Sequence, residues 1–416
     1  MKKKLTLISV FLGNLFEHYD TALYGLLSPF LAPLFFPTQD PITALILTYG
    51  MIPLSMIVRP LGALFFGFVG DYYGRQRALY ISLSGMAFVS LAIAFLPDYE
   101  KIGFLAPALM LFGRMLLSFF VSGESTGGAV YIIENTSEKK QDLMSGLFGS
   151  STIAGIILAS SLVTLLSYFE FIEKGWRILY LIGGFTGVFG VLMRHNGKAN
   201  FHSVTHKKEA FKDQLQTIWK MRFTVLTIAI ATGFSYANYS MCLGVINGFI
   251  PLISDVSRTE VMQINTLLLI LDLIALPIFS LLCPKQYRVK FMVASAFLSV
   301  IVGIPLFTLL DGATLTTITL VRIGLVLIGV WFASTFYSWS QNLVQKEHRY
   351  SVISFASALG ALLFGGPTAV ISLWLYRETA IVSSIAWYWV TLGLFSGILM
   401  LKLEAKKSTQ NKLVRT

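Results

Sequence analysis

Apolar residues run along this chain in long stretches broken by short polar segments. Twelve stretches can be counted, at about 5–36, 42–69, 78–97, 102–133, 143–169, 175–193, 223–251, 259–282, 291–310, 314–340, 350–375 and 381–401. Each reaches or approaches the roughly 20 residues that a helix needs to cross the hydrocarbon core of a bilayer. None alternates with a period of two. That excludes a transmembrane barrel and leaves helices, which satisfy their backbone groups internally. The pattern predicts an all-α membrane protein with twelve transmembrane helices. The first stretch follows Lys2, Lys3 and Lys4 and has the outline of a secretory leader. No small-x-small cleavage site follows, and the stretch continues past Tyr24 to Phe36, so it is read as the first spanning helix.

Positive charge orients these spans. With the N-terminus and every second loop on one side, that side holds 24 of the 32 Lys and Arg residues and the other side 5. Arg59, Arg114 and Arg322 fall within stretches. The excess marks the cytoplasmic face. Both termini are therefore expected in the cytoplasm, with the chain integral to the cytoplasmic (inner) membrane. The net charge of +11 is then no sign of nucleic-acid binding, because the loops that carry it face an anionic leaflet. Composition points the same way. Charged residues make up 13% of the 416 and the AVILMFWYC set 55%, against about 25% charged in a soluble domain. A water-soluble chain could not hide so much apolar surface, and a disordered one would be polar. Cys242 and Cys283 lie in or beside apolar stretches without paired spacing, so no disulfide framework is expected.

The longest polar segment divides the stretches six and six. The expected organisation is a six-helix bundle over 1–194, a cytoplasmic linker over 195–222, a second bundle over 223–401 and a cytoplasmic tail over 402–416. An internal echo supports two related halves. The segment Asp71 to Arg77, after the second stretch, has a counterpart in Pro284 to Lys290, after the eighth. Arg114 in the fourth stretch is echoed by Arg322 in the tenth. Two pseudo-equivalent six-span bundles are the architecture of carriers that rock around a site near the membrane midplane.

The strongest local motif combines Gly67, Gly70, Asp71, Gly74, Arg75 and Arg77 in the first of these turns. Glycines let helices approach closely. Asp71 can pair with a basic neighbour or cap an incoming helix. Arg75 and Arg77 can reach carboxylates at neighbouring helix ends, of which Glu134 is a candidate. Such a gating latch would hold one carrier state and release in the other; the plainer reading is a tight, positively charged turn.

This turn resembles the signature G-x-x-x-D-R-x-G-R-[RK]-[RK] of the major facilitator superfamily, with Tyr72 and Gln76 as departures. The opening Gly13, Asn14, Glu17, His18, Tyr19, Asp20, Tyr24 and Gly25 resembles the G-N-x-x-E-W-Y-D-x-x-x-Y-G segment of its metabolite:H+ symporter branch, with His18 in place of Trp. Phe35 to Pro37, Arg59 with Pro60 and Gly62, and Glu124 with Gly123 and Gly127 extend the match through the first half. Leu117 and Ser118 replace the usual Gln-Gly after Arg114. That branch includes carriers of proline and betaine, citrate, 2-oxoglutarate and shikimate. The resemblance implies the twelve-helix facilitator fold, and it makes Arg114 the arginine of proton coupling and a candidate for a substrate carboxylate.

Ionisable residues inside spans cost about 2.5 kcal/mol or more at a helix centre and mark functional sites by default. Gly13, Glu17, Asp20 and Tyr24 lie on one stripe of the first helix. Two carboxylates there should face a polar cavity, where desolvation and mutual repulsion favour holding a proton. A structural ion pair with an Arg of another helix is the alternative. Glu17, Asp20 and Arg114 are accordingly the proton-coupling candidates. His18, Tyr24, Glu124, Tyr236, Asn238, Asp272 and Arg322 are candidates to line the substrate cavity. For Glu124 a buried helix contact is an equal alternative, and for Asp272 and Arg322 the rival is a single ion pair joining two helices. Gly365, Gly366 and Pro367 predict a break in the eleventh span.

His202 and His206 have metal-pair spacing but no companion glutamate, so no metal is expected. No Walker A loop or dinucleotide fingerprint is present, which argues against a nucleotide-driven pump or an enzyme, and no cofactor is expected. The fifth span also lacks the Gly-Pro pair of drug antiporters. The expectation is a monomeric secondary carrier whose partners are a small-molecule substrate, a proton and the bilayer. It would import a small carboxylate-bearing metabolite, such as proline or betaine, another amino acid or a di- or tricarboxylate. Export or antiport on the same fold is the alternative.

Overall fold

The computed structural model describes residues 2–37, 41–196, 211–283 and 285–413. His202, His206, Pro284, half of the expected linker and the last three residues lie outside them. Among the described residues the chain is helical, with no strand. The first half contains α1 (Lys2–Phe35), α2 (Pro41–Met56), α3 (Arg59–Phe68), α4 (Arg75–Ala94), the short α5 (Tyr99–Ile102), α6 (Leu105–Glu134), α7 (Gln141–Tyr168) and α8 (Ile172–Asn196). After α9 (Phe211–Lys220) come α10 (Arg222–Ser240), α11 (Ile246–Ile253), α12 (Arg258–Leu282), α13 (Arg288–Thr308), α14 (Leu315–Ala333), α15 (Phe336–Gln341), α16 (Arg349–Gly360), α17 (Thr368–Thr379) and α18 (Trp387–Leu413). Every one of the twelve apolar stretches falls on a helix or an interrupted helix. Nine helices among the described residues are long and apolar enough to cross a membrane.

The interruptions have local causes. A wide π-turn at Val69–Tyr73 leads into Gly74, whose φ of 104° only glycine adopts without strain, and α4 starts at the next residue. Further π-turns at Met241–Val245 and Ala361–Gly365 break the seventh and eleventh stretches. The second of these runs into Gly366 and Pro367, where the sequence predicts the break. α12 begins with a reciprocal cap: the Glu260 N–H donates to Ser257 Oγ at 3.3 Å, and the Ser257 N–H donates to Glu260 Oε2 at 2.9 Å.

The chain forms two compact units. The first comprises Met1–Glu134, Ser151–Gln216 and Lys346–Phe355, and the second Asn135–Ser150, Thr217–Gln345 and Ala356–Thr416. Two segments thus join the unit opposite to their half of the sequence: the start of α7 belongs to the second unit and the start of α16 to the first. In the first unit Tyr19, Leu23, Leu27, Leu31 and Phe35 form one face of α1 and share a buried core with Trp176 and Tyr180 of α8 and Val89 and Ile93 of α4. In the second, Phe234 lies edge-on to Phe332 at 4.9 Å and stacks on Trp389 at 6.3 Å.

Bare glycine backbones set the closest helix crossings. A Cβ on Gly155 of α7 would collide with the Leu15 carbonyl of α1, a backbone atom that cannot step aside. Gly155→Ala should therefore cost about 1–3 kcal/mol, read as a lower melting temperature of the detergent-solubilised protein. A melting temperature equal to that of the parent chain would show that the crossing is looser than described.

Candidate functional site

The α1 stripe carries its polar groups into the first unit's interior. Asn14, Glu17, Asp20 and Tyr24 are all buried. Asn14 Nδ2 donates to Ser151 Oγ at 2.7 Å and lies 3.0 Å from Thr152 Oγ1, tying α1 to α7. His18 Nδ1 lies 2.9 Å from the Asn14 carbonyl, which places a proton on that nitrogen, and 4.0 Å from Glu17 Oε1. Asp20 Oδ1 is 3.1 Å from Ser90 Oγ of α4, which is also 3.0 Å from the Tyr180 carbonyl of α8. Gly183 leaves the room this carboxylate occupies, since a Cβ there would strike Asp20 Oδ1.

Arg114 of α6 is 4% exposed and holds its guanidinium over the Tyr24 ring, 4.6 Å from the centroid. Among charged neighbours, Asp20 acts on it favourably and Arg59 unfavourably. Its Nε and Nη1 have no hydrogen-bond partner among the described residues. Asp20, Arg114, Tyr24, Tyr180 and Ser90 thus share one buried polar core. Glu124 stands apart: it is fully buried and accepts from Ser82 Oγ of α4 at 3.2 Å, a contact between α4 and α6.

The turn motif forms a second cluster in the same unit. Asp71 receives Arg75, the Ser351 hydroxyl and the Ser351 backbone N–H, the last at 3.0 Å. Arg75 Nη2 lies 3.4 Å from Glu134 Oε1 and donates to the Lys346 carbonyl at 2.7 Å. Arg349 stands 3.8 Å from the same Glu134 oxygen. The Tyr350 phenol donates to the Gly123 carbonyl, and its ring fills the space left by Gly70 and Gly127. Gly67 leaves room for the Ser351 backbone. The start of α16 is therefore clasped by α3, α4 and α6. Arg77 is exposed and, among the described residues, pairs with neither Asp71 nor Glu134.

The second unit has its own clasp, which the residue types did not single out. Arg288 donates from Nε and Nη2 to the two oxygens of Asp142 at 2.6 and 2.8 Å. Ser338 also donates to Asp142. Arg288 occupies the same place in the echoed segment as Arg75, and each opens its helix, so the echo was the available signal. Ser90, Tyr180, Tyr350 and Ser351 gave no such signal, because each becomes important only through a helix distant in sequence.

The remaining candidates divide. Asn238 and Asp272 line a small cavity with Tyr239, Cys242 and Gly329. Tyr236 does not line it. It is 40% exposed and packs beneath Gly365, about 200° around the helix from Asn238, which does line the cavity. Arg322 is neither a wall of this cavity nor paired with Asp272. Its Nη1 donates to the Val261 carbonyl at 3.1 Å, and its Nη2 faces the Cys242 carbonyl at 3.1 Å and Asn247 Oδ1 and Asn265 Oδ1 at 2.7 Å. A ring of neutral oxygens stands where the rival reading put the carboxylate of Asp272. Among the described residues no group of three His, Cys, Asp or Glu is placed to hold a metal.

Long apolar helices with charged side chains buried among them mark a polytopic membrane protein. Residues 10–365 match the family model described as Major Facilitator Superfamily, and the chain belongs to that family. It is an integral membrane protein that transports solute, not an enzyme, with twelve helices in two bundles as the family fold. It is 28% identical over 425 residues to the proline/betaine transporter of Escherichia coli strain K12, covering 96% of this chain and 83% of that protein. It is equally 28% identical over 426 residues to a glycine betaine/proline/ectoine/pipecolic acid transporter of Dickeya dadantii, covering 96% and 82%. In fold it is similar to the proton:xylose symporter XylE bound to 6-bromo-6-deoxy-D-glucose, with a TM-score of 0.67 at 15% identity over 96% of this chain and 95% of that one.

Removing the charged acceptor of the first clasp should free the start of α16. In Asp71→Ala, backbone amides of residues 349–355 should exchange with deuterium about tenfold faster or more, as expected for loss of hydrogen bonds to a charged group. Unchanged exchange there would show that the clasp does not hold the segment.

Proposed function

We propose that the chain is a proton-coupled symporter that imports a small carboxylate-bearing metabolite of the proline or betaine kind. The observation that carries this reading is Arg114, a buried guanidinium with two nitrogens unsatisfied beside the carboxylate of Asp20. A planar guanidinium of this sort takes a carboxylate in a two-bond fork. The names of the relatives support the substrate class, and the XylE likeness supports the fold on which such coupling occurs.

In this reading Asp20, with Glu17 one helical turn away, accepts a proton while the site is open to the outside. A neutral Asp20 no longer attracts Arg114, which is then available to the substrate carboxylate. Loss of the proton to the cytoplasm restores the attraction and displaces the substrate. The clasp around Asp71, Arg75, Glu134 and Ser351 holds the start of α16 in one state of the cycle and releases it in the other. The excess of Lys and Arg in alternate loops supports cytoplasmic termini in the inner membrane, and the complete polar core within one chain is consistent with a working monomer.

Proteoliposomes given an inward pH gradient should accumulate L-proline or glycine betaine, and Asp20→Asn or Glu17→Gln should abolish accumulation while sparing exchange. Uptake that ignores the gradient and survives both substitutions would remove the coupling claim. Arg114→Gln should weaken substrate binding about 10- to 100-fold, the worth of a charge-assisted hydrogen-bonded pair, measured by thermal shift against the same two compounds. An undiminished shift would take Arg114 out of the binding site.

A further inference from the structure

The second unit contains a buried acceptor pair that nothing in the account above uses. The π-turn Met241–Val245 widens the path from α10 to α11, and Gly329 of α14 faces it without a side chain. A Cβ on Gly329 would collide with the amide of Asn238. Together they open the cavity lined by Asn238, Tyr239, Cys242, Asp272 and Gly329. Asp272 and Asn238 are each 3% exposed, and Asp272 Oδ1 and Asn238 Oδ1 have no hydrogen-bond partner among the described residues. Tyr239 lines the same cavity beside Asp272. Arg322 makes no ion pair or hydrogen bond with either oxygen: both its Nη atoms go to other acceptors, and its Nε has no partner among the described residues.

Two orphaned acceptors on one cavity wall require a donor or a cation. Two oxygens are too few for a hard metal cation, which takes about six or more. A single proton suffices: carried on Asp272, it turns one acceptor into an O–H that can donate to Asn238 Oδ1, directly or through one water. The titratable groups facing Asp272 are Tyr239 on α10 and Cys242 on the π-turn. Behind them stand Tyr337 on α15, facing Tyr239, and Arg322 on α14, facing Cys242.

We infer that Asp272, Asn238 and Tyr239 form a second proton-binding site, separate from Asp20 and built within the second unit. The binding claim stands without the proposed role of Asp20 and Glu17; only its use in transport rests on that reading.

Infrared difference spectroscopy over a pH titration of the full chain in detergent tests it. The protonated-carboxyl C=O band should lose the intensity of one carboxyl in Asp272→Asn and keep that component in Asp20→Asn. Tyr239→Phe should fold with an unchanged melting profile and move both the frequency and the pH midpoint of the band. A band unaltered in Asp272→Asn overturns the site. If that variant does not fold, a Tyr239→Phe spectrum identical to that of the parent chain overturns it. Loss of the band on adding NaCl at constant pH overturns the proton as ligand in favour of a metal cation. Because Asp20→Asn is scored separately, failure here is distinguishable from failure of the symport reading.

Discussion

A guanidinium cannot leave water for lipid depth without acceptors, and that constraint organises both units. Arg322 meets it at both Nη atoms, while its Nε lacks a hydrogen-bond partner among the described residues. Two backbone carbonyls and two side-chain amide oxygens surround its Nη atoms, and one carbonyl, that of Cys242, lies on a π-turn. Such a ring satisfies the charge permanently and ties α14 to the turn and to α12. Arg114, its counterpart in the internal echo, meets the same constraint in part. It has the face of Tyr24 and the field of Asp20, but two of its nitrogens lack partners among the described residues. Unsatisfied buried groups of this kind cost several kcal/mol. A fold tolerates them where a ligand completes the shell. Related sequence positions thus carry opposite chemistry, one arginine built into the scaffold and one available.

The fold was legible because hydrophobic run length and loop charge are properties of one segment at a time. The helices on all twelve stretches, and the break at Gly365 to Pro367, follow from local rules. The α1 stripe was legible for the same reason: Glu17, Asp20 and Tyr24 share a face whatever surrounds them. What surrounds them was not. Ser90 and Tyr180 reach Asp20 from helices with no fixed sequence offset. Tyr236 and Asn238 are close in sequence but about 200° apart around α10, so one is exposed while the other lines the small cavity. For Arg322 the rival reading put a counter-charge beside it, whereas the structure surrounds its Nη atoms with neutral oxygens.

Pairing across the two halves of the sequence was the other hidden element. The start of α16 completes the first unit and the start of α7 the second. In each case an arginine that opens a helix binds a carboxylate brought by another helix, Glu134 for Arg75 and Asp142 for Arg288. The echo between 71–77 and 284–290 encodes this, but only once both partners are seen does the repeat read as paired clasps.

The depth at which these clasps lie decides what they can do. Arg75, Asp71 and Glu134 keep 12%, 15% and 20% of their side chains exposed. Groups at such a boundary recover water when separated, so breaking their pairs costs far less than stranding a charge in the interior. A cage like that of Arg322 could not open on the timescale of a transport cycle without leaving a bare guanidinium in lipid. If the clasp alternates as proposed, it has to be assembled from many modest contacts near water, as it is: two carboxylates, two arginines, a serine and a phenol on bare glycine backbone. Permanent polar chemistry belongs at depth, where neutral oxygens ring Arg322, and reversible polar chemistry at the rim. Arg114 and Asp20, deep but incompletely satisfied, are then the pair whose balance a proton or a carboxylate can tip.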